Sequence, residues 1–130
     1  MALSDAIAWL NAQILTISGI DSAGKPSDTV GVNGLVAMTY DAGGVLGQGK
    51  DLSTIRIVLL YPRSDLRQAI VALDGKPQAI ANKIRADVTM GGTVQTYGSI
   101  SYQFVTIPWQ AIDAAGYQID ITGVKILTTV

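Results

Sequence analysis

Leu3, Ile7, Leu10, Ile14 and Ile17 recur at spacings of four, three, four and three. That is one face of a 3.6-residue period and predicts a helix over residues 3–16. Asp5 falls in its first turn, where a carboxylate suits the positive end of the helix dipole. Trp9 lies off the stripe, beside Ala6 and Gln13. Two readings of it stay open: packing at the edge of the core, or anchoring an interface, where tryptophan is enriched. Gly19 stands where a helix-ending glycine is expected. Residues 21–31, rich in Ser, Gly, Asp and Pro, read as an irregular connection.

The period then shortens. Residues 32–40 (VNGLVAMTY) read as a strand weakened or bulged at Gly34. Residues 54–61 (TIRIVLLY) are β-branched, apolar on both faces, and stop at Pro62. Between them residues 41–52 (DAGGVLGQGKDL) form a long glycine-rich hairpin loop, longer than a tight hairpin needs. Ser64 and Asp65 suit the cap of a further helix with Leu66, Ile70 and Leu73 on one face. The run Asp74-Gly75-Lys76-Pro77 breaks it, and Pro77 opens another helix over residues 77–87. Ile80 and Ile84 face inward there, with Val88 a further candidate. In the predicted strand 94–107, Ile100, Tyr102 and Phe104 alternate with Ser101 and Gln103. Residues 108–115 read as a loop holding Trp109, and residues 116–127 alternate again. The order α-β-β-α-α-β-β predicts an α+β fold: an antiparallel four-stranded sheet of two hairpins with helices packed on one face. Nothing divides residues 1–130 into more than a single domain.

Composition changes this picture in one respect. Apolar residues make up 48% of the chain, 14 glycines add to them, and charged residues are only 15%, against about 25% in an average domain. A protein of this length leaves roughly a third of its unfolded surface exposed, so much of that surface is neutral. Burial against a partner, a membrane or further copies follows. No apolar run approaches the ~20 residues of a membrane span. Asp5 stands where a signal peptide carries basic residues, so no leader is expected.

The residue inventory narrows the chemistry. The chain has no His and no Cys, and all ten acids are Asp. Ser-His-Asp and Cys-His nucleophilic systems, ordinary zinc sites and disulfides are thereby excluded. The scattered Asp residues sit at turns and polar faces, where a short carboxylate accepts backbone N–H bonds. No enzyme activity, cofactor or metal is expected. Net charge is −1, so no global field attracts nucleic acid. Residues 50–87 hold seven of the nine basic side chains and four of the ten Asp. They lack the interleaved aromatics of a single-strand binder, and read as a solvated helix face.

One motif invites a different class. Gly44-Val45-Leu46-Gly47-Gln48-Gly49-Lys50 matches G-x-x-x-x-G-K, which would make the chain a small nucleotide-binding protein. The next residue is Asp51 rather than Ser or Thr, and a β-branched segment follows where a phosphate-binding helix should start. The better reading is an arm with an apolar tip, Val45, Leu46 and Gly47, that orders against a neighbour. Trp109 and Trp9 join it as candidate subunit or partner contacts.

Residues 84–126, IRADVTMGGTVQTYGSISYQFVTIPWQAIDAAGYQIDITGVKI, resemble the tail-terminator proteins of long-tailed bacteriophages. Met90-Gly91-Gly92-Thr93-Val94 stands in the family's phrase after a helix, and Gly116-Tyr117 in the pair that begins the second strand of its hairpin. Gly19-Ile20 and the YPRSDL run at residues 61–66 agree in outline. The resemblance implies a virion structural protein that forms a ring, usually a hexamer, capping the tail tube. Its implied partners are itself, the tail-tube protein and a head-completion or connector protein. DNA passes through the lumen without specific binding. The implied location is the phage tail or neck, after synthesis in the host cytoplasm. Another virion component of similar size, such as a head adaptor, tube subunit or capsid decoration protein, is the alternative. The surplus neutral surface is then interface, expected chiefly on the first hairpin.

Overall fold

The computed structural model describes residues 3–17, 20, 22–24, 36–46, 51–61, 70–71, 73–109 and 112–126. Helix α1 (Leu3–Ile14) is followed by strands β1 (Ser22–Gly24), β2 (Val36–Val45) and β3 (Leu52–Tyr61). Helix α2 (Lys76–Ala86) then leads to β4 (Val94–Thr96), β5 (Ser99–Trp109) and β6 (Ile112–Ile126). The sheet runs β1-β2-β3-β6, with β4 and β5 both on the outer side of β6. β5 lies along most of β6 and β4 beside its last residues. The fold is α+β, and every strand pair is antiparallel except β1 with β2.

The core follows from strand register. Ile57 of β3 sits between Thr39 of β2 and Ile119 of β6, and Ile55 faces Ile121. Directly paired residues project to the same side of a sheet, so Ile55, Ile57, Leu59, Ile119 and Ile121 share one face. Each is completely buried, in one cluster with Ala6, Leu10 and Ile14 of α1 and Ile80 and Ile84 of α2. The alternate residues of β3 point the other way, and Val58 and Leu60 are buried there too. This accounts for the unbroken apolar run in that strand, a pattern expected where both faces are covered.

Three expectations are corrected. Among the described residues the sheet has six strands rather than four, because a short β1, inside the predicted irregular connection, pairs in parallel with residues 36–38. A break at Tyr97-Gly98 also divides the predicted strand 94–107 into β4 and β5. At this break the Gly98 N–H donates to the Thr122 carbonyl at 2.8 Å, while Gly123 turns at φ 67. The register of β6 slips by one residue at the same point, between Ile121 and Val124. The hairpin loops are shorter than read from sequence. β2 continues to Val45 and pairs with Leu52 of β3, absorbing Ala42 and Gly43 in a bulge in which Gly43 has φ 106. β5 likewise continues through Pro108 to Trp109, opposite Ile112. Proline is tolerated there because β5 is an outer strand.

Two inward assignments also change. Leu73 is fully buried, but Ile70 is 53% exposed and Val88 49% exposed. Residues 70, 71 and 73 are helical, while the cap at Ser64-Asp65 and Leu66 lies outside the described residues. Gly19, Gly34 and Pro62 also lie outside them.

The burial pattern sets a contrast in stability. Ile57→Ala should lower the unfolding free energy by about 2–5 kcal/mol, because it empties a closed site. Ile70→Ala should change it by less than about 0.5 kcal/mol. Chemical denaturation midpoints with unchanged slope would measure both.

Candidate functional site

The last described residues of β2 and its exit, before the hairpin tip, are open to solvent. Val45 is 65% exposed and Leu46 87% exposed. Behind them the Asp41 carboxylate accepts the Gly43 N–H at 2.9 Å, bracing the bulge. β1 borders β2 only along residues 36–38, so residues 39–45 have no strand neighbour on that side among the described residues. Gly47 lies outside the described residues. The nucleotide motif begins in β2, and the chain re-enters a strand at Leu52. No helix N-terminus therefore follows it to meet a phosphate.

A second surface lies on β5, and alternation alone did not reveal it. Ile100, Tyr102 and Phe104 do face the same side as Ile121, Ile119 and Tyr117, as the period of two predicts. Among the described residues α1 packs chiefly against β1, β2 and α2. Tyr102 is 64% exposed and Phe104 45% exposed. Both rings meet the half-buried Tyr117 edge to face, at centroid distances of 5.9 and 5.5 Å. Edge-to-face contacts of this kind favour one ring orientation by about 0.5–1.5 kcal/mol. On the other face of β5, Ser99, Ser101 and Gln103 are exposed. Residues 101–104 are thus exposed on both faces of the strand, Ile100 packs against the core cluster, and β5 carries no charged residue. Natural edge strands usually bear such charges to block pairing with other chains. Trp109 closes β5 opposite Ile112, and its side chain lies outside the described part of the structure.

Among the described residues, two polar side-chain pairs link neighbouring strands, while the buried Thr39 hydroxyl on β2 has no hydrogen-bond partner. On the face away from the helices, Arg56 Nε donates to Asp120 Oδ1 at 2.9 Å, and Nη2 donates to Oδ2 at 3.4 Å. The two residues are register partners on β3 and β6. The bonds to Asp120 and then Tyr40 hold the Arg56 guanidinium above its ordinary pKa, so its charge is permanent. Ser99 and Thr122 link their hydroxyls at 2.9 Å across β5 and β6.

Trp9 and the Met90-to-Val94 phrase turn out to be one structural device. Asp87 closes the loop after α2: its Oδ1 accepts the Thr89 N–H and hydroxyl at 3.1 and 2.7 Å, and its Oδ2 accepts the Gly91 N–H at 3.0 Å. The Thr89 hydroxyl and the Gly91 amide lower the pKa of this carboxyl below the ordinary value. The contribution of these bonds is thus complete above the ordinary carboxylate range and fades as pH falls through the lowered pKa. The turn carries Met90 at φ 49 with its side chain fully buried in the core. Gly91 follows at φ 72, and a Cβ there would collide with the Trp9 indole. Trp9 is partly buried against the core cluster.

Among the described residues, no group of three His, Cys, Asp or Glu side chains is placed to hold a metal. Among the same residues no helix is long and apolar enough to cross a membrane. No protein-family profile matches the chain, and no curated protein matches it by sequence.

Gly91→Ala combines a strained φ with a clash against Trp9. It should destabilise the fold by about 1–3 kcal/mol and shift the tryptophan emission. Gly92→Ala, at φ 84 with open space around it, should cost stability and leave the emission unchanged.

Proposed function

We propose that the chain is a structural protein of a long-tailed bacteriophage particle: a tail terminator that assembles into a ring, a hexamer, on the end of the tail tube. One observation carries the reading. The segment that resembles this family, residues 84–126, runs from the last turn of α2 through β4, β5 and β6, and its β5 is an uncharged outer strand with two exposed aromatic rings. A neutral outer strand suits a subunit surface buried by a neighbour, and the low charge of the whole chain agrees with this.

In this role the protein does no catalysis and needs no cofactor. Its partners are further copies of itself, the tail-tube protein below and a head-completion or connector protein above. The DNA passes through the lumen without specific contacts. The protein is made in the host cytoplasm and ends in the tail or neck of the particle.

Quantitative mass spectrometry of purified particles should find about six copies per virion, as a closed cyclic ring requires. Tens or hundreds of copies would point to a tube or decoration protein, and absence from the particle would overturn the reading. Leu46→Asp should leave the chain folded by circular dichroism while reducing ring formation and the yield of complete particles.

A further inference from the structure

We propose that, in this ring, the hairpin tip of one copy seats on the aromatic outer strand of the next, with Val45 and Leu46 against Tyr102 and Phe104. The inference rests on the ring reading and names the surfaces that close the ring.

The two surfaces belong to opposite sides of one sheet. β5 forms the outer strand on one side, and the tip continues β2, which on the other side is bordered only by the three residues of β1. A contact between unlike surfaces repeats from copy to copy, and it closes into a ring when the rotation allows. Tip against tip, or β5 against β5, would be a two-fold contact and stop at a pair. The bulge at Ala42-Gly43 interrupts the ladder just before Val45, and bulges of this kind bend the strand that carries them.

The surfaces also match in kind. Neither Val45-Leu46 nor any residue of β5 is charged, so the contact strips no ion of its water. Aromatic side chains bury about 150–250 Å² each. At exposures of 64% and 45%, Tyr102 and Phe104 offer roughly 200 Å². A standard interface buries about 800 Å² per partner around an apolar centre. The rings thus supply about a quarter of such a patch, and Thr106, exposed on the same face of β5, adds a polar group beside them. Tyr117 already meets both rings edge to face, so less side-chain freedom is lost on docking.

Because the chain has no cysteine, engineered thiols report on this contact without background. Three variants are compared, Leu46→Cys, Tyr102→Cys and the double variant, each treated with a short thiol–thiol cross-linker at high protein concentration and in assembled particles. The expected result is a ladder of covalent oligomers from the double variant, ending at the ring size, with no dimer from either single variant. A dimer from one single variant would assign like-with-like contacts and overturn the proposal. So would the absence of any product from the double variant. The mass of the untreated parent protein separates the two failures. Rings that do not cross-link remove only this contact, while a parent that is monomeric alone and absent from particles removes the ring reading as well.

Discussion

The ladder between β3 and β6 is the constraint on which the rest of the structure depends. It brings Ile55 and Ile57 opposite Ile121 and Ile119, giving four fully buried side chains in adjacent pairs. Both helices place apolar residues on this block, and the Met90 turn plugs into the same cluster. Each such side chain is worth about 1.5–3 kcal/mol when taken from water, so the block outweighs any single polar contact in the molecule. The Arg56–Asp120 pair crosses the same two strands on the far face. With side chains about a third and a fifth exposed, it contributes on the surface scale of about 0–1 kcal/mol.

The position of that block explains the surface. Helix α1 sits over β1 and β2 and touches α2, so the covered region is displaced toward one side of the sheet. β5 is held to β6 by its ladder and by the ring contacts on Tyr117, and its residues 101–104 remain exposed on both faces. A soluble edge strand of this length ordinarily carries charges or a distortion that deters pairing. β5 carries neither along residues 99–107, and the neutral character of the chain is therefore concentrated where another molecule can use it.

How much of this was legible in the sequence depends on what each pattern encodes. The spacing of Leu10 and Ile14, and the period of two from Ile100 to Phe104, report which residues share a face, and those assignments agree with the structure. Periodicity does not report whether anything covers that face. Tyr102 and Phe104 share the alternation of Ile100 and lie on the core side of the sheet, yet both are exposed. Ile70 and Val88 fail in the same way. β1 is too short to leave a pattern, and its pairing depends on long-range register with residues 36–38. The strand ends beyond Tyr40 and Ile107 were hidden by glycines and Pro108, which read as breakers but sit at a bulge and on an outer strand. The Met90 turn was recognised as a phrase, but not as a seat for Trp9.

Amide hydrogen exchange of the isolated chain against the assembled ring tests the central claim most directly. If β5 is the edge on which a neighbour sits, the exposed amides of residues 99–106 should become strongly protected on assembly, while those of α2 keep their rates. Unchanged exchange along β5 in a chain that has assembled would contradict the account.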